Sequence, residues 1–178
     1  MTAKKHSTKT TSTQSSRELV ITRIIDAQRE LVFKAWTDLK HVVQWWGPHG
    51  FTNPVCEMDV RPGGTYRSVM RSPDGVEYPM KGVYREIVEP ERLVYTAAVA
   101  EHPAEWHDLL NKNRQKGEGK PAQELLMTVN FEGHDGKTKL TIGNRFESVA
   151  DRDAMLKMGM TEGWTESLER LEQHLAKA

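Results

Sequence analysis

Apolar and polar residues alternate through the middle of the chain, between residues 51 and 147. In the clearest example, Leu125, Met127, Val129 and Phe131 fall on every second position and therefore share one face of a strand. Turn residues separate the alternating segments, and a β-branched segment precedes them. The predicted strands cover residues 17–25, 54–59, 65–71, 80–88, 92–99, 124–132 and 137–146. Because short turns join most of them, we expect one curved antiparallel sheet of about six or seven strands.

Helical spacing flanks these strands. Residues 32–39 carry apolar side chains at i, i+3, i+4 and i+7, and residues 39–46 continue the pattern until Gly47-Pro48 ends it. Residues 151–158 predict a short helix. A long amphipathic helix follows, with one apolar face formed by Trp164, Leu168, Leu171 and Leu175. This order predicts an α+β fold with two short helices after the first strand, in which the sheet curls around the long C-terminal helix.

Composition limits the class of protein. The length of 178 residues suits one domain, which we assign to residues 17–178, whereas residues 1–16 are rich in Ser, Thr and Lys and predict a disordered tail. Outside that tail there are 22 basic and 25 acidic residues, a balance that does not favour nucleic-acid binding. No apolar segment approaches the length of a membrane span, and no secretory leader is evident. We therefore expect a cytoplasmic protein that binds neither nucleic acid nor membranes.

An ordered set of short motifs adds to this pattern. The motifs are Phe33-Lys34-Ala35-Trp36-Thr37-Asp38, Trp45-Trp46-Gly47-Pro48, Gly50-Phe51-Thr52, Asp59 with Arg61-Pro62-Gly63-Gly64, Gly82, Pro90-Glu91-Arg92-Leu93 and Gly163-Trp164. In this order they resemble the START-like superfamily, which has the helix-grip (Bet v-like) fold. More narrowly, residues 18–175 resemble the family of homologues of the activator of the heat shock protein 90 ATPase. The resemblance implies a groove or cavity between the curved sheet and the C-terminal helix.

The resemblance does not imply one activity. Relatives bind lipids, hormones or polyketides, some catalyse cyclisation or hydrolysis, and others assist a chaperone, so the fold alone cannot choose. The eukaryotic activator carries an additional N-terminal domain that grips the chaperone, where this chain has a tail of sixteen residues. Chaperone activation is therefore not carried over. Relatives also lack most of the insertion at residues 100–123.

Candidate cavity residues come from the aromatic and methionine-rich segments. Trp45, His49 and Phe51 are interpreted as one rim of the cavity, with Trp46 and Trp36 in the core beside it. Flexible methionines suit the wall of a site that accepts varied ligands. The wall residues we predict are Tyr66, Met127, Met155, Met158 and Trp164. The alternative is that these side chains only pack the core.

The insertion at residues 100–123 contains a short amphipathic helix. Its apolar residues Trp106, Leu109 and Leu110 follow i, i+3 and i+4 spacing, and Gly117 and Gly119 come after it. One interpretation is a lid over the cavity with the glycines as its hinge. The alternatives are a contact with a second copy of the chain, forming a homodimer, and a helix without a binding role.

Polar groups give weaker signals. Glu57, with Tyr66 or Arg67, could anchor a ligand if its strand face points inward; otherwise that face is solvated. His102 and His107 are five residues apart, not the i, i+4 spacing that directs two ligands at one metal ion. Cys56 is the only cysteine, and no nucleophile motif occurs. We expect no metal, no cofactor and no assignable catalytic residue.

The sequence is compatible with three functions. We expect a module that binds a small, largely apolar ligand, with no assignable catalysis. The first alternative is a polyketide cyclase-like, aromatase-like or hydrolase-like enzyme, which a carboxylate or histidine of perturbed pKa inside the cavity would favour. The second is a stress-response interaction module with a chaperone partner, which a filled core with an exposed apolar patch would favour.

Overall fold

The computed structural model describes residues 10–15, 17–114 and 123–177. Within them it contains eight strands and five helices. The strands are β1 Thr11–Ser15, β2 Glu18–Ile25, β3 Thr52–Met58, β4 Thr65–Arg71, β5 Glu77–Val88, β6 Arg92–Ala98, β7 Glu124–His134 and β8 Lys137–Arg145. The helices are α1 Arg29–Thr37, α2 Leu39–Trp45, α3 Ala104–Asn113, α4 Val149–Lys157 and α5 Met160–Ala176. None of the described helices is long and apolar enough to cross a membrane.

All eight strands form one antiparallel sheet in the order β1-β2-β8-β7-β6-β5-β4-β3. The α+β prediction is confirmed, and the arrangement is the helix-grip fold. The strand count is one higher than predicted, because Thr11–Ser15 pairs with β2 where the sequence predicted a disordered tail. Threonine favours the extended backbone, and without β1 the outer edge of β2 would have unpaired N–H and C=O groups.

The C-terminal half of helix α5 is fixed against the sheet. Strand β2 buries every second side chain, and Arg23 is among them although it is charged. Its guanidinium donates from Nε and Nη2 to the two carboxylate oxygens of Glu172 on α5, at 3.2 and 3.0 Å. A paired charge can be buried in this way because both partners keep strong hydrogen bonds. The C-terminal half of α5 is thereby attached to β2.

The Arg61-Pro62-Gly63-Gly64 motif connects β3 to β4 and holds this turn against β5. The Gly63 N–H donates to the Tyr84 carbonyl at 2.7 Å, and the Tyr84 N–H donates to the Gly64 carbonyl at 2.9 Å. A Cβ at position 64 would overlap the Asp59 carbonyl oxygen, so glycine is required there by close backbone approach. The motif therefore shapes the end of the sheet and contributes no chemistry to a site.

Candidate functional site

The concave face of the sheet and the first half of α5 enclose a partly open cavity of about 420 Å³. Its walls come from four parts of the chain: strands β4 to β7, the loop after α2, the segment containing α3, and the region where α4 gives way to α5. The lining residues are Trp46, Gly47, Pro48, Phe51, Met70, Tyr78, Met80, Tyr95, Ala97, Val99, His102, Trp106, Leu109, Leu125, Met127, Met155, Met158, Gly159, Met160, Gly163, Trp164 and Ser167.

The floor is built from alternate residues of the central strands. Tyr95, Ala97 and Val99 follow period 2 along and just beyond β6, and Leu125 and Met127 do so on β7. The antiparallel register pairs Tyr95 with Met127 and Ala97 with Leu125. Cross-strand pairing thus joins an apolar surface across two strands without a charged residue in it.

The opposite wall is one face of α5. Met160, Gly163, Trp164 and Ser167 lie at i, i+3, i+4 and i+7, so they share a stripe that faces the cavity. The hydroxyl of Ser167 donates to the Gly163 carbonyl at 2.9 Å, which satisfies its donor within the helix. The glycine leaves room, because a Cβ at position 163 would meet only the Pro48 ring, at 3.9 Å.

The loop after α2, residues 46–51, forms a third wall and is clamped to α5 by Arg170. The Nη1 group of Arg170 donates to the carbonyls of Trp46, Gly47 and Pro48 at 3.0, 2.9 and 3.1 Å, and Nη2 donates to that of Gln44 at 3.3 Å. Burial lowers the pKa of Arg170, although the guanidinium remains charged at neutral pH. One side chain on α5 therefore holds the end of α2 and the first part of this loop.

The two adjacent tryptophans occupy opposite roles from those predicted. Trp45 is fully buried and donates from its indole Nε1 to the Ala35 carbonyl at 2.9 Å, so it is core and not the cavity rim. Trp46 is half-buried and lines the cavity. The reason is that α2 ends at Trp45, and Trp46 adopts an extended backbone with φ −63° and ψ 131°. The helical spacing used for the prediction does not extend to Trp46.

Helix α3 forms the fourth wall. Trp106 and Leu109 line the cavity, and Leu109 is 47% exposed at its mouth, whereas Leu110 is buried in the core. The helix is attached to α4 by a buried ion pair in which the Nε of Arg114 lies 2.8 Å from the Asp151 carboxylate. Of the three predicted lid residues, two therefore reach the cavity. The predicted hinge residues Gly117 and Gly119 lie outside the described residues.

His102 is the titratable group in the cavity wall with the most perturbed pKa. It is 9% exposed, and its ring contacts the Tyr78 ring at 5.5 Å and the Trp106 ring at 4.6 Å, measured between centroids. Nδ1 lies 2.9 Å from the Pro79 carbonyl oxygen. Burial lowers the pKa of His102 to about 4, the hydrogen bond to Pro79 opposes that shift, and the charge of His107 adds to it. The imidazole is neutral at physiological pH.

Comparison with known proteins places this geometry in a family. Over residues 26–176 the sequence matches the family described as "Activator of Hsp90 ATPase homolog 1-like protein". The chain belongs to this family. No curated protein matches the chain.

Solved structures of other proteins share the fold of this family member. A Nitrosomonas europaea protein is 21% identical with a TM-score of 0.75, covering 93% of this chain and 97% of its own. An Arthrobacter aurescens protein is 24% identical with a TM-score of 0.76, covering 94% and 92%. The AHSA1 protein of Silicibacter pomeroyi is 24% identical with a TM-score of 0.65, covering 89% and 97%. At these identities the likeness establishes the fold alone.

Most of the predicted wall residues of this family member do line the cavity. Phe51, Met127, Met155, Met158 and Trp164 are all among the lining residues. Six of the eight methionines line it in total, including Met70, Met80 and Met160. The methionine clustering in the sequence was therefore a useful signal for the position of the wall.

Three other predicted site residues do not line the cavity. Glu57 is exposed on β3 and lies outside the lining, as in the solvated alternative. His49 is exposed and pairs with Glu169 on α5 at 2.7 Å. Tyr66 is not a lining residue; it donates its hydroxyl to the Thr96 carbonyl at 2.6 Å and packs against Tyr84 and Tyr95. In each case the facing of a strand or the geometry of a loop determines whether the side chain points into the cavity. Neither can be read from period 2 alone.

Sequence reasoning missed Arg170 and the role of His102. Arg170 sits between apolar positions on α5 and looks like an ordinary solvated residue in the sequence. In the sequence, His102 stands out only through its spacing from His107, which bears on a metal site and not on the cavity. The described residues contain no group of three metal-ligating side chains, and apart from His102 the cavity lining has no acid or base other than tyrosine.

Proposed function

We propose that this protein binds a small, largely apolar molecule in the cavity between the sheet and α5. The observation that carries the proposal is a cavity of about 420 Å³ with a wall of aliphatic, aromatic and methionine side chains and no charged group at neutral pH. Ligand sites in proteins commonly have volumes of about 300–1,000 Å³, with apolar walls and few polar groups.

The methionines favour a ligand of this kind over an accidental packing defect. Unbranched thioether side chains adapt to the outline of a bound molecule, which suits a site that accepts several related ligands. Small residues among the lining, Gly163 and Ala97, keep the wall from filling this space, and a Cβ at position 163 would meet only the Pro48 ring. An apolar ligand that occupied this space would gain the transfer free energy of its buried surface.

Entry of a ligand into the cavity is best explained by movement of α3. Its lining residues Trp106 and Leu109 stand at the mouth, and Leu109 keeps nearly half of its surface exposed. We propose that α3 is the lid, anchored at its C-terminal end by the ion pair between Arg114 and Asp151. Movement at the other end would open the mouth without disturbing the sheet.

The test combines native mass spectrometry with a fluorescence titration. Native spectra of freshly purified protein should contain a retained mass, and N-phenyl-1-naphthylamine, a neutral apolar dye, should bind with enhanced emission. Gly163→Leu places a side chain in the cavity from α5, and we expect it to weaken dye binding by at least about tenfold. The matched control is Gln173→Leu, which adds a leucine on the exposed side of the same helix.

Two results would contradict the proposal. One is equal dye binding by the wild type and Gly163→Leu, because the dye would then bind elsewhere. The other is the lack of both a retained mass and dye binding in the folded wild type. A thermal melt of each variant shows that the comparison is made on folded protein.

His102 is the observation that favours a second candidate, an enzyme of the cyclase or hydrolase kind. A histidine of perturbed pKa inside a cavity is a common feature of active sites. With a pKa of about 4, however, its free nitrogen is a weak base near neutral pH, where general bases work best at a pKa close to the ambient pH. No carboxylate lines the cavity to raise that basicity. Binding is therefore the better-supported function.

The chaperone-related and stress-response roles rest on the family description alone. The large exposed apolar residues in the described parts of the chain, Leu39, Val83, Val88, Leu109 and Val149, lie on four different elements. A homodimer, a chaperone partner and a cytoplasmic location remain predictions from the sequence. Size-exclusion chromatography with light scattering tests the first of these directly.

A further inference from the structure

His102 lies where the ladder between β5 and β6 stops. The last register pair between these strands is Lys81 with Ala98, and the chain then turns, with the His102 N–H donating to the Val99 carbonyl at 3.0 Å. Pro79 lies beyond that last pair, so its carbonyl has no backbone donor from β6. The imidazole of His102 occupies the position that another residue of β6 would take, with Nδ1 2.9 Å from the Pro79 oxygen.

This contact determines which ring nitrogen carries the proton. A carbonyl oxygen can only accept, so Nδ1 must be the donor. In the neutral imidazole the proton is then absent from Nε2, which has a lone pair and can only accept. Burial keeps the ring in this neutral form at physiological pH, since it lowers the pKa of His102 to about 4.

The lone pair is available to a ligand. His102 lines the cavity together with Tyr78 and Trp106, and its edge-to-face contacts with these two rings hold its orientation. Within the described part of the chain, Nε2 has no hydrogen bond and keeps accessible surface. By contrast, the Ser167 hydroxyl already donates inside α5.

From this geometry we propose that His102 makes the cavity selective for apolar molecules that carry a hydroxyl group, an alcohol or a phenol, which donates to Nε2. This inference rests on the proposed function and names the ligand class. A hydroxyl donor supplies the hydrogen that the imidazole lacks. An ether of the same shape cannot donate, and a carboxylate would bring negative charge against a lone pair with no cation in the wall.

The experiment compares three naphthalenes of similar size: 2-naphthol, 2-methoxynaphthalene and 2-naphthoate. Each is titrated against the complex of the protein with N-phenyl-1-naphthylamine at pH 7, and displacement gives its affinity. For the wild type we expect 2-naphthol to bind about five- to tenfold more tightly than the ether, with the carboxylate weakest.

Two substitutions distinguish the donor role of Nδ1 of His102 from the acceptor role of Nε2. His102→Asn keeps an N–H donor in place of Nδ1 for the Pro79 carbonyl and removes the acceptor at the Nε2 position. We expect it to abolish the preference for 2-naphthol while the ether still binds. His102→Gln places an amide oxygen close to the Nε2 position, and we expect it to restore part of the preference.

The outcomes are distinguishable. Equal binding of 2-naphthol and the ether by the wild type, or an unchanged preference in His102→Asn, would overturn the hydroxyl selectivity and leave the cavity as a ligand site. Failure of all three naphthalenes and of the dye to bind folded protein would overturn both the selectivity and the proposed function. Thermal melts of both variants confirm that they are folded.

Discussion

Trp45 and Trp46 are neighbours in the chain, but they belong to two different regions of the space between the sheet and the helices. The closed region is filled by rings, with Trp36 at its centre, 4.8 Å from Trp45 and 5.9 Å from Phe131 between centroids. The open region is the cavity, where Trp46 and Trp164 stand at the border, 5.7 Å apart. Both regions face the same curved sheet.

The two regions differ in the side chains that fill or line them. In the closed region, rigid rings meet edge to face, which is a favourable aromatic geometry that leaves little empty volume. In the open region, methionines and small residues line the walls, and the helix face includes Gly163. The cavity therefore forms where methionines and small residues, Gly163 on α5 among them, stand between the aromatic side chains instead of further rings.

The largest expected effect tests whether the boundary between these regions falls between the two tryptophans. Trp45→Ala should lower the free energy of unfolding by about 3–5 kcal/mol, because it opens a void in a close-packed region and removes the hydrogen bond to Ala35. Trp46→Ala, its matched partner, should cost only about 1–2 kcal/mol, and it should weaken binding of N-phenyl-1-naphthylamine. Urea denaturation measures both. Equal costs would mean that the two regions are not distinct.

A somewhat smaller effect is expected from the pH dependence of the open region. The pKa of His102 is about 4 in the folded protein, because burial disfavours the charged ring, against 6.5 in the unfolded chain. As the pH falls from 6.5 to 4, the unfolded chain takes up a proton that the folded protein does not, so the free energy of unfolding decreases, by up to about 3 kcal/mol. Above pH 6.5 both states are neutral and this contribution is constant.

The measurement is urea denaturation at pH 7, 6, 5 and 4 for the wild type and His102→Asn. The variant should lose less stability over this range. His174, whose pKa is also lowered, first by burial and then by the charge of His41, contributes equally to both proteins. Identical pH profiles would show that His102 is not held neutral by its site.

The next effect concerns the wall that separates the two regions, the loop at residues 46–51. Arg170→Lys removes the planar fork that donates to four carbonyls, and a lysine ammonium cannot reproduce it. We expect a loss of about 2 kcal/mol in the free energy of unfolding, together with weaker dye binding as the wall loosens. Lys177→Arg at the exposed end of α5 is the control and should change neither quantity. Unchanged dye binding in Arg170→Lys would show that the clamp does not shape the cavity.

The smallest effect tests whether the open region is adaptable. Met127→Leu conserves volume at a buried floor position, so the free energy of unfolding should change by less than about 1 kcal/mol. The branched side chain adapts less well, and the ratio of affinities for N-phenyl-1-naphthylamine and 2-methoxynaphthalene should shift by about twofold. Met58→Leu, on β3 and outside the lining, should leave the ratio unchanged. Equal shifts in both variants would contradict a special role for the cavity methionines.

Much of the fold followed from the sequence because its signals are local. The period-2 run at Leu125 to Phe131 is a strand, and its alternate residues are buried as predicted. The prediction of disorder for Thr11–Ser15 was wrong, because the edge of β2 supplies backbone hydrogen-bond partners that these polar residues do not have on their own. The facing of Glu57 stayed open and His49 was misplaced, because the direction of a side chain depends on strand twist and loop backbone, which composition does not encode.

The sequence by itself determined the order of elements from β2 onward, because periodicity and turn residues act within a few positions of each other. The helix-grip fold and the family followed from the resemblance that the ordered motifs carry. The tertiary structure alone decided which tryptophan closes the core and which borders the cavity. That choice turns on where α2 ends: one residue of extended backbone at Trp46 sends adjacent rings to different regions. It also brought His102 to the Pro79 carbonyl, a contact across 23 positions that exists only once β5 and β6 lie side by side.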